Sequence, residues 1–186
     1  MSLENVDFGL TLREKEYLLE QVKAVIEARL QGCDLPEDVP ESQVLREKRG
    51  AFVTLKKNGD LRGCIGYIEA YKPLYQTIRE MAVAAAFNDP RFPELEAKEW
   101  PAVEFELSVL TPLREIDDPD IIEVGKHGLL IRHGHSSGLL LPQVAVEYGW
   151  SREEFLDHTC QKAGLAKECW RRSGTKLYIF SAEIFA

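Results

Sequence analysis

The chain is predicted to fold as an α+β domain, an antiparallel sheet core flanked by helices, with two lobes and a cleft at its second strand. Three observations predict it. Asn58-Gly59 stands between two apolar runs, the strongest short-range signal for a β-hairpin. A second pair of apolar runs, Leu129-Leu130-Ile131 and Leu139-Leu140-Leu141, is joined across Gly134 to Gly138. The helical stretches stand apart from these strands with no regular βαβ alternation, which points away from a parallel sheet.

Taken in order, Thr11 and Glu14 form a capping box, and Leu12, Leu18, Leu19, Val22, Val25, Ile26 and Leu30 recur at helical spacing until Gly32. Residues Cys33 to Arg49 are polar, contain Pro36 and Pro40 and read as a long connecting loop. The first hairpin then pairs residues 51–55 with the strand after the Asn58-Gly59 turn. A two-residue turn sets Val53 opposite Cys64, Leu55 opposite Arg62 and Phe52 opposite Ile65. Both faces then carry apolar side chains, so this second strand is expected to be central and covered.

Pro73 opens a helix through Leu74, Ile78, Met81, Ala82, Ala85 and Ala86, ending near Asn88, and its alanines permit close packing. Val103, Phe105, Leu107 and Val109 alternate with polar residues as a half-exposed strand. After the second hairpin, Pro142 starts a short helix that ends near Gly149. Ser151 and Glu154 cap another, which carries Phe155, Leu156 and Cys160 and closes at Gly164. Leu177-Tyr178-Ile179-Phe180 reads as a last strand. Residues 1–9 form an N-terminal tail, of which Met1-Ser2-Leu3 is set aside as a terminal addition. Residues 10–186 are expected to form a single domain, whose length allows two lobes.

The densest chemistry lies in Leu61-Arg62-Gly63-Cys64-Ile65-Gly66, where a cation, a thiol and two glycines interrupt an otherwise apolar strand. Glycine inside a strand marks a bulge or the close approach of a ligand or another backbone. Further candidate segments are Asp89-Pro90-Arg91-Phe92-Pro93, Leu107-Ser108-Val109-Leu110-Thr111-Pro112, His127-Gly128-Leu129, Leu141-Pro142-Gln143-Val144-Ala145, Gly149-Trp150 and Lys162-Ala163-Gly164-Leu165.

Together these segments resemble the AMMECR family, named for the Alport, midface hypoplasia and elliptocytosis chromosomal region, with LRGCIG as its signature. The similarity runs from about the fiftieth residue to the C-terminus. It implies an AMMECR-type domain over residues 10–186. Prokaryotic members are often encoded beside, or fused to, a Memo-like protein and a radical SAM protein. The resemblance therefore implies those two partners and the first component of the association called AmmeMemoRadiSam. It assigns no reaction.

Composition narrows the remaining classes. Twenty-three Lys and Arg against thirty-one Asp and Glu give a net charge of −8, which argues against the phosphate attraction that most nucleic-acid binders use. Arg46, Lys48, Arg49, Lys56, Lys57 and Arg62 read as a solvated basic face. No apolar run approaches the roughly 20 residues of a membrane span. The four cysteines, Cys33, Cys64, Cys160 and Cys169, include no C-x-x-C pair and follow no secretory leader. Reduced thiols, a cytoplasmic location and no disulfide are the expectation. With neither G-x-x-x-x-G-K nor G-x-G-x-x-G present, no nucleotide cofactor is implied.

Among single residues, Cys64 is the nucleophile candidate, its thiolate favoured by Arg62, with Gly63 and Gly66 letting a ligand approach the backbone. Set against this, free cysteine commonly behaves as a small buried hydrophobe. His127 stands at a strand entrance, as a base or as a histidine bonded to backbone at a turn. Asp89 and Arg91 either hold a substrate carboxylate or phosphate, or pair internally beneath Phe92. Gln143 lies at a helix N-terminus suited to an anion, and Lys162 adds a second cation or only a helix-terminal charge. His133-Gly134-His135 has no carboxylate or cysteine at metal spacing, so no metal is expected. The resulting expectation is a cleft for a small anionic ligand lined by Arg62, Cys64, Asp89, Arg91 and His127. The alternative is a non-catalytic adaptor that presents the signature strand to its partners.

Overall fold

A computed structural model describes residues 9–35 and 37–186, so the tail residues 1–8 and Pro36 of the long loop lie outside the described residues. The described residues divide into two compact units, those up to 110 together with 183–186, and residues 111–182.

The first unit begins with helix α1 (Leu12–Gln31), whose capping box forms as its sequence requires. The Glu14 N–H donates to Thr11 Oγ1 at 3.4 Å and the Thr11 N–H donates to Glu14 Oε2 at 2.7 Å. Gly32 ends the helix in the left-handed conformation, φ 67°. The connecting segment is less irregular than its composition suggests, because Ser42 caps a single turn, α2 (Gln43–Arg46), that buries Leu45. Strands β1 (Ala51–Lys57) and β2 (Asp60–Tyr67) follow, joined through Asn58 at φ 54° and Gly59 at φ 84°, the pair of positive φ angles that a two-residue hairpin turn demands. Helix α3 (Leu74–Phe87) and strands β3 (Val103–Leu110) and β8 (Ala182–Phe185) complete the unit, and the sheet order is β2-β1-β3-β8.

Ala51, Val53 and Leu55 of β1 share a fully buried face with Leu107 and Val109 of β3. That face packs in one core with Leu18, Val22, Val25 and Ile26 of α1 and with the Met81, Ala82 and Ala85 stripe of α3. Gly63 is required here, since a Cβ on it would stand 2.1 Å from the carbonyl oxygen of Ala85. The alanines of α3 and the glycine of β2 thus serve one purpose, to bring helix backbone onto strand backbone.

The hairpin departs from its expected register. Lys57 pairs with Asp60 and Lys56 with Leu61, but Leu55 then pairs with Gly63 and Thr54 with Cys64. Arg62 is the extra residue of a β-bulge. A one-residue slip exchanges the faces of a strand, so Cys64 shares a side with Thr54 rather than with the buried Val53. That face is only partly covered, with Phe52, Thr54 and Lys56 all half-buried. The expectation of a central strand covered on both faces is corrected as well: β2 is an edge strand.

The second unit holds strands β4 (Arg114–Ile116), β5 (Gly128–His133), β6 (Ser136–Leu140) and β7 (Thr175–Phe180), all antiparallel in the order β4-β7-β5-β6. Helices α4 (Pro142–Glu147) and α5 (Arg152–Lys162) contribute Ala145, Phe155 and Leu156 to a core with Leu129, Ile131, Leu177 and Ile179. Cys160 and Cys169 form a disulfide, with Cα atoms 5.8 Å apart, which corrects the expectation of four free thiols. The cause is a chain reversal: Gly164, at φ 74°, turns the backbone after α5, and a single 3-10 turn at Cys169–Arg171 returns Cys169 to the helix end. Cys33 and Cys64 are free. No described helix is long and apolar enough to cross a membrane.

Candidate functional site

An edge strand presents unpaired N–H and C=O groups, which natural sheets cover or interrupt. At Cys64 the covering comes from side chains. The turn after α3 places Asp89 so that its Oδ2 accepts the Cys64 N–H at 2.9 Å, and Arg91 Nη2 donates to the Cys64 carbonyl at 3.1 Å. The two side chains clamp each other. Asp89 Oδ1 accepts from Arg91 Nε at 2.9 Å and from the Arg91 N–H at 3.1 Å, and Asp89 Oδ2 accepts from Arg91 Nη2 at 2.7 Å. Residues Asp89 and Arg91 thus do for one residue of β2 what a neighbouring strand would do.

The clamp is asymmetric in exposure. The Asp89 side chain is 1% exposed and that of Arg91 54%. Arg91's hydrogen bonds hold the Asp89 carboxyl well below the usual carboxylate range, against the opposing effect of burial, with the Cys64 N–H adding to the depression. Arg91 keeps its charge all the more firmly, chiefly through Asp89 and in part through its electrostatic interaction with Cys64. Among the described residues Arg91 Nη1 makes no hydrogen bond, so a guanidinium fixed on one side keeps donors free on the other. The Arg91 guanidinium also lies 5.5 Å from the Phe92 ring centroid. On the sulfur side, Thr54 Oγ1 donates to Cys64 Sγ at 3.2 Å.

Arg62, predicted to support the thiolate, is placed elsewhere. The bulge turns it toward Glu99, where Nη2 meets Oε2 at 3.0 Å and the Glu94 carbonyl at 3.3 Å. Only 8% of the residue is exposed. Glu99 also takes Lys57 Nζ at 2.8 Å, and these two cations draw its pKa down to about 2. Arg91 occupies the place beside Cys64 that was expected of Arg62. The motif glycines have packing reasons: Gly63 admits the Ala85 carbonyl, and a Cβ on Gly66 would stand 2.3 Å from the Phe52 ring.

His127, Gln143 and Lys162 belong to the second unit. His127 is 6% exposed, and the Glu123 N–H donates to its Nδ1 at 3.1 Å, which leaves the proton of the neutral ring on Nε2. Burial pushes its pKa down. Gln143 lies in the first turn of α4 with Oε1 buried and unpartnered among the described residues, and Lys162 is exposed in the last turn of α5. His133 Nδ1 is bonded to Thr175 Oγ1 at 2.9 Å. Thr54 and Glu99 were not singled out from sequence. Thr54 could be found only by knowing of the bulge, and Glu99 only by knowing where Arg62 turns.

Comparison with known proteins gives one consistent result. A family model described as AMMECR1 matches residues 19–185. A protein of Methanothermobacter thermautotrophicus is 45% identical over 185 residues, covering 95% of each chain. One of Methanopyrus kandleri is 46% identical over 185 residues, covering 95% of this chain and 89% of that one. The crystal structure of an uncharacterized protein from Pyrococcus horikoshii shares 42% identity with a TM-score of 0.80, covering 91% of this chain and 89% of that one.

Proposed function

We propose that this chain, which belongs to the AMMECR1 family, acts in the cytosol by binding a small carboxylate or phosphate ligand against Arg91, with the Cys64 thiol beside it as the reactive group. One observation carries the reading. A guanidinium locked by a buried carboxylate keeps Nη1 free and interacts electrostatically with a thiol that the bulge has turned onto a partly open sheet face. Pre-positioned in this way, an arginine loses little freedom on receiving an anion. Thr54 Oγ1 donates to the sulfur at 3.2 Å and so fixes where it sits on that face.

A second reading has its own support. Because Gly63 and Gly66 are accounted for by packing, the signature does not require a ligand at its backbone. On this reading the chain is a non-catalytic module of an AmmeMemoRadiSam-type association, and the sealed edge at Cys64 is presented to a Memo-like or radical SAM protein.

Alkylation by a charged and an uncharged reagent separates the two. Cys64 should react faster with iodoacetate, relative to iodoacetamide, than the exposed Cys33 does. Arg91→Gln should lower that preference roughly three- to tenfold through lost attraction for the anion. Arg91→Lys, which keeps the charge, should retain most of it. Inorganic phosphate should protect Cys64 and leave Cys33 unprotected. An inert Cys64, or a preference that Arg91→Gln leaves unchanged in a variant with parental melting, would remove the anion site and leave the adaptor.

A further inference from the structure

On a different part of the first unit, α3 and the segment around Val39 form an open pocket of about 510 Å³ lined by Glu37, Val39, Tyr75, Gln76, Arg79 and Glu80. Its helical members stand at i, i+1, i+4 and i+5, and so form one stripe of α3. The volume suits a small molecule.

Arg79 forms the floor, with a side chain only 11% exposed. Its Nε donates to Gln21 Oε1 at 2.7 Å, and its Nη2 donates to Asp38 Oδ1 at 2.6 Å and to the Tyr17 hydroxyl at 3.4 Å. The guanidinium carbon lies 5.2 Å from the centre of the Tyr75 ring. Four neighbours therefore fix this cation, while Nη1 makes no hydrogen bond among the described residues. Gln76 is occupied with the Tyr75 hydroxyl at 3.0 Å. The rim carries the opposite charge: Glu80 pairs with Lys72 at 2.5 Å, and Glu37 has no ion pair among the described residues. Val39, 61% exposed, adds an apolar wall.

A floor cation with a free donor, an unpaired rim carboxylate and an aliphatic wall select against simple ions. Asp38 pairs with Arg79 and Lys72 with Glu80, so among the lining charges Glu37 is the one left to disfavour a phosphate, while a plain amine would leave the Arg79 Nη1 donor unused. We propose that this pocket binds a small zwitterion of the free α-amino-acid class with a branched aliphatic side chain. Its carboxylate rests on Arg79 Nη1, its ammonium on Glu37 and its side chain on Val39. The site is separate from the Cys64 and Arg91 reading and does not depend on it.

Calorimetric titration of the full chain with L-leucine, 4-methylpentanoate and 3-methylbutylamine tests this, because the last two are leucine without its ammonium and without its carboxylate. Leucine should bind saturably at millimolar concentration, and each truncated probe should bind roughly tenfold or more weakly. Glu37→Gln, at an exposed position that spares the fold, should reduce leucine to the level of 4-methylpentanoate and leave 4-methylpentanoate unchanged. Cys64→Ala should alter nothing. No saturable binding of leucine, equal binding of the three probes, or leucine binding that survives Glu37→Gln would each overturn the proposal.

Discussion

The two units solve the same packing problem and secure the solution differently. Each lays a helix on a four-stranded antiparallel sheet, and each uses a strand glycine to let helix backbone come close. Gly63 makes room for the Ala85 carbonyl, and Gly138 for the Ala163 nitrogen, 2.3 Å from where a Cβ would sit. The first unit then ties its loops to the sheet with charges, Asp89 with Arg91 at the Cys64 edge and Glu99 with Arg62 and Lys57 at the bulge. The second unit uses a buried disulfide and a histidine kept neutral by burial. A covalent staple leaves no spare bonding capacity, whereas a guanidinium clamped by one carboxylate keeps donors for something else. Chemistry is therefore expected where the structure is held by charges.

Removing the Asp89 carboxylate should produce the largest effect and so is the strongest test of this contrast. Asp89→Ala strips the Cys64 N–H of its acceptor and Arg91 of its counter-ion. Breaking a buried pair costs several kcal/mol, and because Arg91 can turn to water the loss should fall near the lower end, about 3 kcal/mol. Urea unfolding gives the total, and amide exchange shows where it falls. Exchange at the Cys64 amide should accelerate while β5 and β7 keep their protection. Equal acceleration in both sheets would mean that the clamp supports the whole chain and not one edge.

Much of this fold was legible because it is locally encoded. The capping boxes at Thr11 and Ser151, the Asn58-Gly59 turn and the apolar stripes of α1 and α3 each announce themselves within a few residues. The register was not, because the bulge depends on Arg62 finding Glu99, 37 residues away. From that one unseen contact came the wrong face for Cys64 and the wrong cation beside it. Asp89 and Arg91 were visible as a pair, but their work as an edge cap depends on which side of β1 receives β3, a choice made by tertiary packing. Strands β4 and β8, of three and four residues, were missed because short strands carry too little alternation to read. The disulfide was missed because spacing rules look for nearby cysteine pairs, and here the chain reverses between partners nine residues apart.

Cutting the staple should cost somewhat less than cutting the clamp. For a loop of this size, losing the cross-link removes between about 2 and 3 kcal/mol, mainly by freeing the unfolded chain. Cys169→Ala leaves Cys160 as a small buried hydrophobe. It should melt where the parent protein melts once reduced, and exchange should rise at α5 and β6 rather than at β2. If a thiol reductant leaves the parent melting curve unmoved, the staple contributes nothing and the contrast between the units weakens.

Mild acid should give the smallest effect and the finest distinction. Burial holds the folded His127 pKa below its ordinary 6.5, so the unfolded chain takes up the proton first and stability falls as pH drops from 6.5 toward the folded value, then levels. The carboxylates of the first unit behave oppositely. Asp89 and Glu99 have depressed folded values, so their contributions stay whole until pH falls below the ordinary carboxylate range and, for Glu99, are lost on the way down to about 2. Between about pH 7 and pH 5, therefore, these groups make only the second unit respond, by about 1 kcal/mol or less. Amide exchange corrected for its intrinsic pH dependence should show β5 and β7 loosening over that interval while β1 and β2 hold. His127→Gln, which cannot take up the proton, should flatten the response of β5 and β7. Loosening that persists in that variant would leave His127 as a backbone-bonded residue with no part in the response.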